Sequence, residues 1–150
     1  MDFNVSFNNM SCVPLKCSLS VTCSFRGTRA VKFEGGLLKL CEGGDGTKLK
    51  TREKLKVNED DWDLFSKAAS FTEVNEWKSD FDPNEIDLAV FDGCSWVFEY
   101  ENSGVKCSTG GVNAYPLYNV CKTTLDPDRV WLLILAMDCL VGRRYLVEYL

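Results

Sequence analysis

Short stretches of the chain alternate apolar and polar residues, which is the pattern of half-buried β-strands. The clearest is residues 17–25, where every odd position is apolar or cysteine and every even position is serine or threonine. Residues 30–42 form a further extended stretch, which Gly35 and Gly36 interrupt as a bulge or a tight turn. We predict more strands over residues 47–57, 88–91, 95–100 and 105–109.

Two segments carry the spacing and end signals of helices. Asn58 can cap the first, and three acidic residues follow it in the turn where a helix dipole favours negative charge. An apolar stripe runs from Trp62 to Phe71. The second helix starts at Pro127 and ends at Gly142. Its apolar residues extend nearly all round, which predicts deep burial or a contact between copies of the chain.

Strands and helices in this order predict an α+β fold. We expect an antiparallel sheet of five or more strands with two helices packed on one face, in the order β-β-β-α-β-β-α. A length of 150 residues suits a single domain, residues 1–150, in which residues 1–16 form an arm or an extra strand.

Three short motifs resemble a group of small uncharacterised bacterial proteins. They are Trp77, a D-G-x-x-W hairpin from Asp92 to Trp96, and a G-x-N-x-Y-P loop from Gly111 to Pro116 before a closing helix. The resemblance covers roughly residues 58–140, and the cysteine-rich first third departs from it. It implies the fold and no activity.

The chain contains no histidine. This removes the commonest general base and the commonest metal ligand, and so excludes Ser-His-Asp and Cys-His catalysis. We expect no cofactor, no bound metal and no enzymatic activity. An enzyme that works through carboxylates or a thiol is the least favoured alternative.

The eight cysteines include no C-x-x-C pair, the spacing of most zinc ribbons and redox motifs. Cys17 and Cys23 share the apolar side of their strand, and Cys139 falls with Leu132 and Leu135 at helical spacing. We therefore expect reduced thiols that fill the core. No signal peptide or membrane-spanning stretch is visible, which predicts a cytoplasmic protein without membrane contact.

The net charge of -5 conceals two segments of opposite sign. Residues 26–56 hold nine basic and four acidic residues, whereas residues 57–103 hold two basic and thirteen acidic ones. Five cations alternate along one predicted strand, which would place them on a single face for contact with nucleic acid or with an acidic surface. The alternative is a lysine-guarded sheet edge. These residues are Lys48, Lys50, Arg52, Lys54 and Lys56.

The acidic segment holds two clusters. The second begins like a calcium loop but has Glu85 where glycine is required, which argues against calcium. An acidic surface can occupy a basic groove of a partner, so we expect a binding protein that contacts another protein, such as an inhibitor or immunity-type factor of a mobile element. A second copy bound through residues 127–141 is another expected partner, and charges on a solvated surface are the plain alternative. The clusters are Glu59, Asp60, Asp61 and Asp63, then Asp80, Asp82, Glu85 and Asp87.

Overall fold

A computed structural model describes residues 13–23, 26–44, 48–72, 74, 94–102, 104–112 and 127–149. Within these residues six strands form one antiparallel sheet in the spatial order β4-β3-β2-β1-β5-β6. The strands are β1 (Lys16–Cys23), β2 (Gly27–Glu34), β3 (Leu37–Gly43), β4 (Lys50–Leu55), β5 (Cys94–Asn102) and β6 (Val105–Val112).

Two helices complete the described fold, α1 (Glu59–Thr72) and α2 (Pro127–Val141), and a 3₁₀ turn follows at Val147–Tyr149. The side-chain oxygen of Asn58 accepts the backbone N–H of Asp61 at 2.8 Å, which confirms the predicted cap. Gly142 ends α2 with a φ of 84°, a left-handed conformation that glycine adopts without a steric penalty.

Both helices pack on the same face of the sheet. The ring of Phe33 in β2 lies 4.9 Å from that of Trp62 in α1, and Leu133 and Met137 of α2 belong to the same buried cluster. We call this side the inner face. Since successive side chains of a strand point to opposite sides, the other face carries Ser18, Ser20, Ala30, Lys32 and Lys39, and we call it the outer face.

The structure confirms the predicted α+β class, with two helices and an antiparallel sheet. It divides the extended stretch at residues 30–42 into two strands, because Gly35 and Gly36 adopt φ values of 59° and 77° in a two-residue turn. The strand predicted at residues 88–91 lies outside the described residues, as do Trp77 and residues 113–116 of the motifs. Trp96 of the hairpin motif is buried in the core.

No helix among the described residues is long and apolar enough to cross a membrane.

Candidate interaction surfaces

A β-bulge in β4 changes the predicted basic strand. Leu40 of β3 pairs with Glu53, but the next residue, Cys41, pairs with Thr51, so Arg52 is an extra residue without an opposite partner. The predicted alternation therefore breaks at Arg52. Because a one-residue shift exchanges the two faces of a strand, the prediction that all five cations share one face is wrong.

The bulge places Lys50 and Lys54, the cations before and after Arg52, on opposite faces of the sheet. Lys50 pairs with Glu42, which lies on the inner face, whereas Lys54 pairs with Lys39 on the outer face. Lys48 and Lys56 lie beyond the two ends of β4, and all five cations are exposed.

On the outer face the register assembles a row of lysines that sequence reasoning missed. Lys54 of β4 lies opposite Lys39 of β3, and Lys39 lies opposite Lys32 of β2. The row continues into Ser18 and then Glu99. Residues far apart in the chain form it, so only the strand pairing reveals it.

A hollow of about 510 Å³ adjoins this row towards β6. Both signs of charge line it, and Lys106 lies 3.8 Å from Glu101 in an ion pair. Its charged lining consists of Lys16, Lys32, Glu34, Glu99, Glu101 and Lys106.

The first acidic cluster lies at the start of α1. Glu59, Asp60 and Asp61 occupy the first turn and are exposed, and Asp63 forms an ion pair with Lys67 at 2.9 Å. The second cluster, residues 80–87, lies outside the described residues. The described residues therefore include only the first of the two predicted acidic clusters. This cluster lies around the N-terminus of α1.

A groove of about 200 Å³ runs between the two helices beside this acidic turn. One wall is formed by α1, which contributes one acidic residue and three apolar ones. The other wall is the last part of α2. The lining residues are Asp61, Leu64, Phe65, Ala68, Ala136, Cys139 and Leu140.

Large apolar side chains extend the groove into an exposed surface. Leu64 and Phe71 of α1 are 66% and 76% exposed, and Leu132 and Leu135 of α2 are 41% and 44% exposed. Residues three, four or seven positions apart share one side of a helix, so these side chains lie on the faces that line the groove. The predicted single stripe of α1 is thus two stripes, one of which buries Trp62 and Phe65.

The C-terminal residues are held on the inner face by Arg29. Its guanidinium donates to the carbonyl oxygen of Tyr145 at 2.9 Å and forms ion pairs with Glu42 and Glu148 at 3.2 and 3.1 Å. It also lies 4.9 and 4.5 Å from the ring centroids of Tyr145 and Tyr149. This cluster explains the charges of β2 and β3 on the inner face as part of the fold.

Asp138 is a buried acidic residue in the apolar helix α2. Its carboxylate accepts the backbone N–H groups of Tyr145, Leu146 and Val147 at 2.9–3.1 Å. Burial raises the pKa of Asp138, and the three hydrogen bonds oppose that rise. Asp138 therefore anchors the chain after α2. A single acidic residue within the apolar run of α2 is the sequence feature that could have identified this role.

The cysteines depart from the prediction in two places. Cys23 is disulfide-bonded, so the expectation of reduced thiols throughout is wrong, and its sulfur lies 2.9 Å from the carbonyl oxygen of Tyr149. Cys139 is an exposed free thiol in the groove and does not fill the core. Cys17 agrees with the prediction, since it is free and buried, and burial raises its pKa.

Among the described residues, no group of three or more cysteines and acidic residues is placed to hold a metal ion. No protein-family model matches the chain, and a comparison with curated proteins finds no match.

Proposed function

We propose that this protein is a non-enzymatic binding protein that contacts another protein through the outer surface of α1 and α2. The observation that carries the proposal is the exposure of Leu64 and Phe71 beside the groove between the helices. Large apolar side chains gathered around a groove are typical of protein interaction sites. Their burial against a partner would supply the hydrophobic part of the binding free energy.

The charge beside the groove indicates the chemistry of the partner. Asp61 lines the groove and Asp60 is exposed in the same turn, so one end of the apolar surface is negative. A groove between two helices accepts the apolar side of an amphipathic helix. We therefore assign a basic amphipathic helix of another protein as the occupant, with its cations beside the first turn of α1.

An inhibitor or immunity-type role is the specific form of this proposal. An acidic surface steers a basic partner by long-range attraction, which speeds association more than it changes affinity. The expected cytoplasmic location stays a prediction, and the disulfide at Cys23 counts against it because disulfides are rare in a reducing cytosol.

Site-specific photocrosslinking in the native host tests the proposal. A photoreactive residue replaces Leu135 in one variant and Val97 in a matched control, because each native side chain is 44% exposed. Leu135 lies on the helix surface and Val97 on the outer face. We expect a discrete heteromeric adduct from position 135 alone, and Asp60→Asn with Asp61→Asn should slow its formation.

Two outcomes contradict the proposal. Equal adducts from both positions would mean that the helix surface is not a specific interface. An adduct of two identical chains, with a dimer in light scattering, would instead assign the surface to the predicted contact between copies through α2.

A further inference from the structure

We propose that the outer face of β2, β3 and β4 binds the phosphate backbone of duplex nucleic acid through Lys32, Lys39 and Lys54. The three lysines lie directly opposite one another on adjacent strands. Neighbouring strands are about 4.8 Å apart, so the row spans about 10 Å. This site lies on the other side of the sheet from the proposed protein interface and does not depend on it.

The fold accounts for only part of this row. Like charges that face each other across strands destabilise a sheet. Lys39 is ion-paired with Glu34 at 3.2 Å, but within the described residues neither Lys32 nor Lys54 forms an ion pair. Half-buried Lys32 therefore lies beside another cation without an ion-pair partner of its own in the described residues.

Protection of a sheet edge explains only part of the arrangement. β4 is an edge strand of the described sheet, and a lysine such as Lys54 discourages pairing with another chain there. Lys39 and Lys32, however, lie on β3 and β2, which have strands on both sides. Edge protection therefore does not account for Lys32, for which we infer an anionic ligand above the face.

The surrounding side chains favour phosphate over an acidic protein. Hydroxyl-bearing residues flank the row on the outer face, among them Ser18, Ser20 and Thr51. Serine and threonine hydroxyls donate to phosphate oxygens as lysines do. A protein partner would need an apolar centre, whereas the row and its direct cross-strand neighbours on this face are lysine, serine and glutamate.

The same residues limit how a nucleic acid would be recognised. No aromatic side chain belongs to the described part of the outer face, so stacking on unpaired bases has no platform there. The row ends at Glu99, which repels phosphate and confines the site to β2, β3 and β4. We therefore infer contact with the duplex backbone that does not depend on base sequence.

Fluorescence anisotropy with a labelled mixed-sequence DNA duplex tests the assignment. The test variant carries Lys32→Gln, Lys39→Gln and Lys54→Gln, and a control of equal charge carries Lys16→Gln, Lys67→Gln and Lys106→Gln. Each phosphate contact contributes about 0.9 to the slope of log K against log salt. We expect the test variant to lose about 2.7 of that slope and at least about tenfold in affinity at about 50 mM salt, with the control close to the native protein.

A thermal melt of each variant separates binding from folding. Because the substitutions relieve repulsion between like charges, we expect the test variant to melt no lower than the native protein. Failure of the native protein to bind the duplex overturns the assignment. So does an equal loss in both variants, which would indicate diffuse attraction, or equally tight binding of poly-glutamate, which would indicate an acidic protein.

Discussion

The inner and outer faces of the sheet use charge in different ways. On the inner face Arg29 has two carboxylate partners, and Glu53 lies 2.7 Å from Arg143 just after α2. On the outer face Lys32 and Lys54 face a third lysine and have no ion pair within the described residues. Arg29 and Glu53 of the inner face hold the residues that follow α2, whereas Lys32 and Lys54 of the outer face form no ion pair within the described residues.

This contrast distinguishes charges that are paired within the fold from charges that form no ion pair among the described residues. A charged group that the fold needs is matched by a partner, because an unmatched charge near the protein interior costs free energy. Substitutions on the two faces should accordingly differ in what they damage, stability on the inner face and binding on the outer one.

The largest difference is expected between two neighbours in β3. Leu40→Ala on the inner face removes a fully buried side chain and should lower the free energy of unfolding by about 2–5 kcal/mol. Lys39→Ala on the outer face should change it by less than about 0.5 kcal/mol. Urea denaturation of both variants measures the difference, and equal losses would show that the outer face is also packed as a core.

Asp138→Asn should produce the next largest loss, about 1–3 kcal/mol. The carboxylate accepts three backbone N–H groups with two oxygens, and an amide cannot accept on the side of its NH₂ group. Asp63→Asn is the matched control, since it removes the carboxylate of an exposed ion pair with Lys67. Hydrogen exchange at residues 145–147 should accelerate in the first variant alone, and unchanged exchange there would exclude an anchoring role for Asp138.

A smaller loss is expected when Arg29 becomes lysine. Lysine keeps the charge but lacks the planar fork that reaches Tyr145 and both carboxylates, so we expect a decrease of about 1–2 kcal/mol. Arg52→Lys makes the same exchange at the exposed bulge and should have no measurable effect. Thermal melts compare the two, and a loss at Arg52 as large as that at Arg29 would contradict the division between the faces.

The sequence predicted the features that depend on neighbouring residues. The side-chain alternation around Leu19 and the cap at Asn58 are both local patterns, and both are confirmed. The lysine row depends on which strands become neighbours, and the displacement of Lys50 and Lys54 depends on a single extra residue at Arg52. Alternation alone cannot reveal a bulge, because the polar residues of an exposed edge strand fit either register.

The pH dependence of stability should give the smallest and most specific effect. Burial raises the pKa of Asp138, the charge of Glu148 adds to this rise, and the N–H groups of Tyr145, Leu146 and Val147 oppose it. A raised pKa means that the folded protein binds the proton more tightly than the unfolded chain does. The contribution of Asp138 protonation to the free energy of unfolding is fully present below the unfolded-state pKa of about 3.9. It is lost as the pH rises through the pKa of Asp138 in the folded protein.

Comparison with Asp138→Asn isolates this contribution from that of other groups. The native protein should exceed the variant in free energy of unfolding by the largest margin at acidic pH, and the margin should narrow towards neutral pH. Urea titrations across this range measure it. If the difference in free energy of unfolding between the two proteins instead grew with pH, the three N–H donors would outweigh burial. The inner face would then stabilise the carboxylate of Asp138 in its charged form, as it does the cation of Arg29.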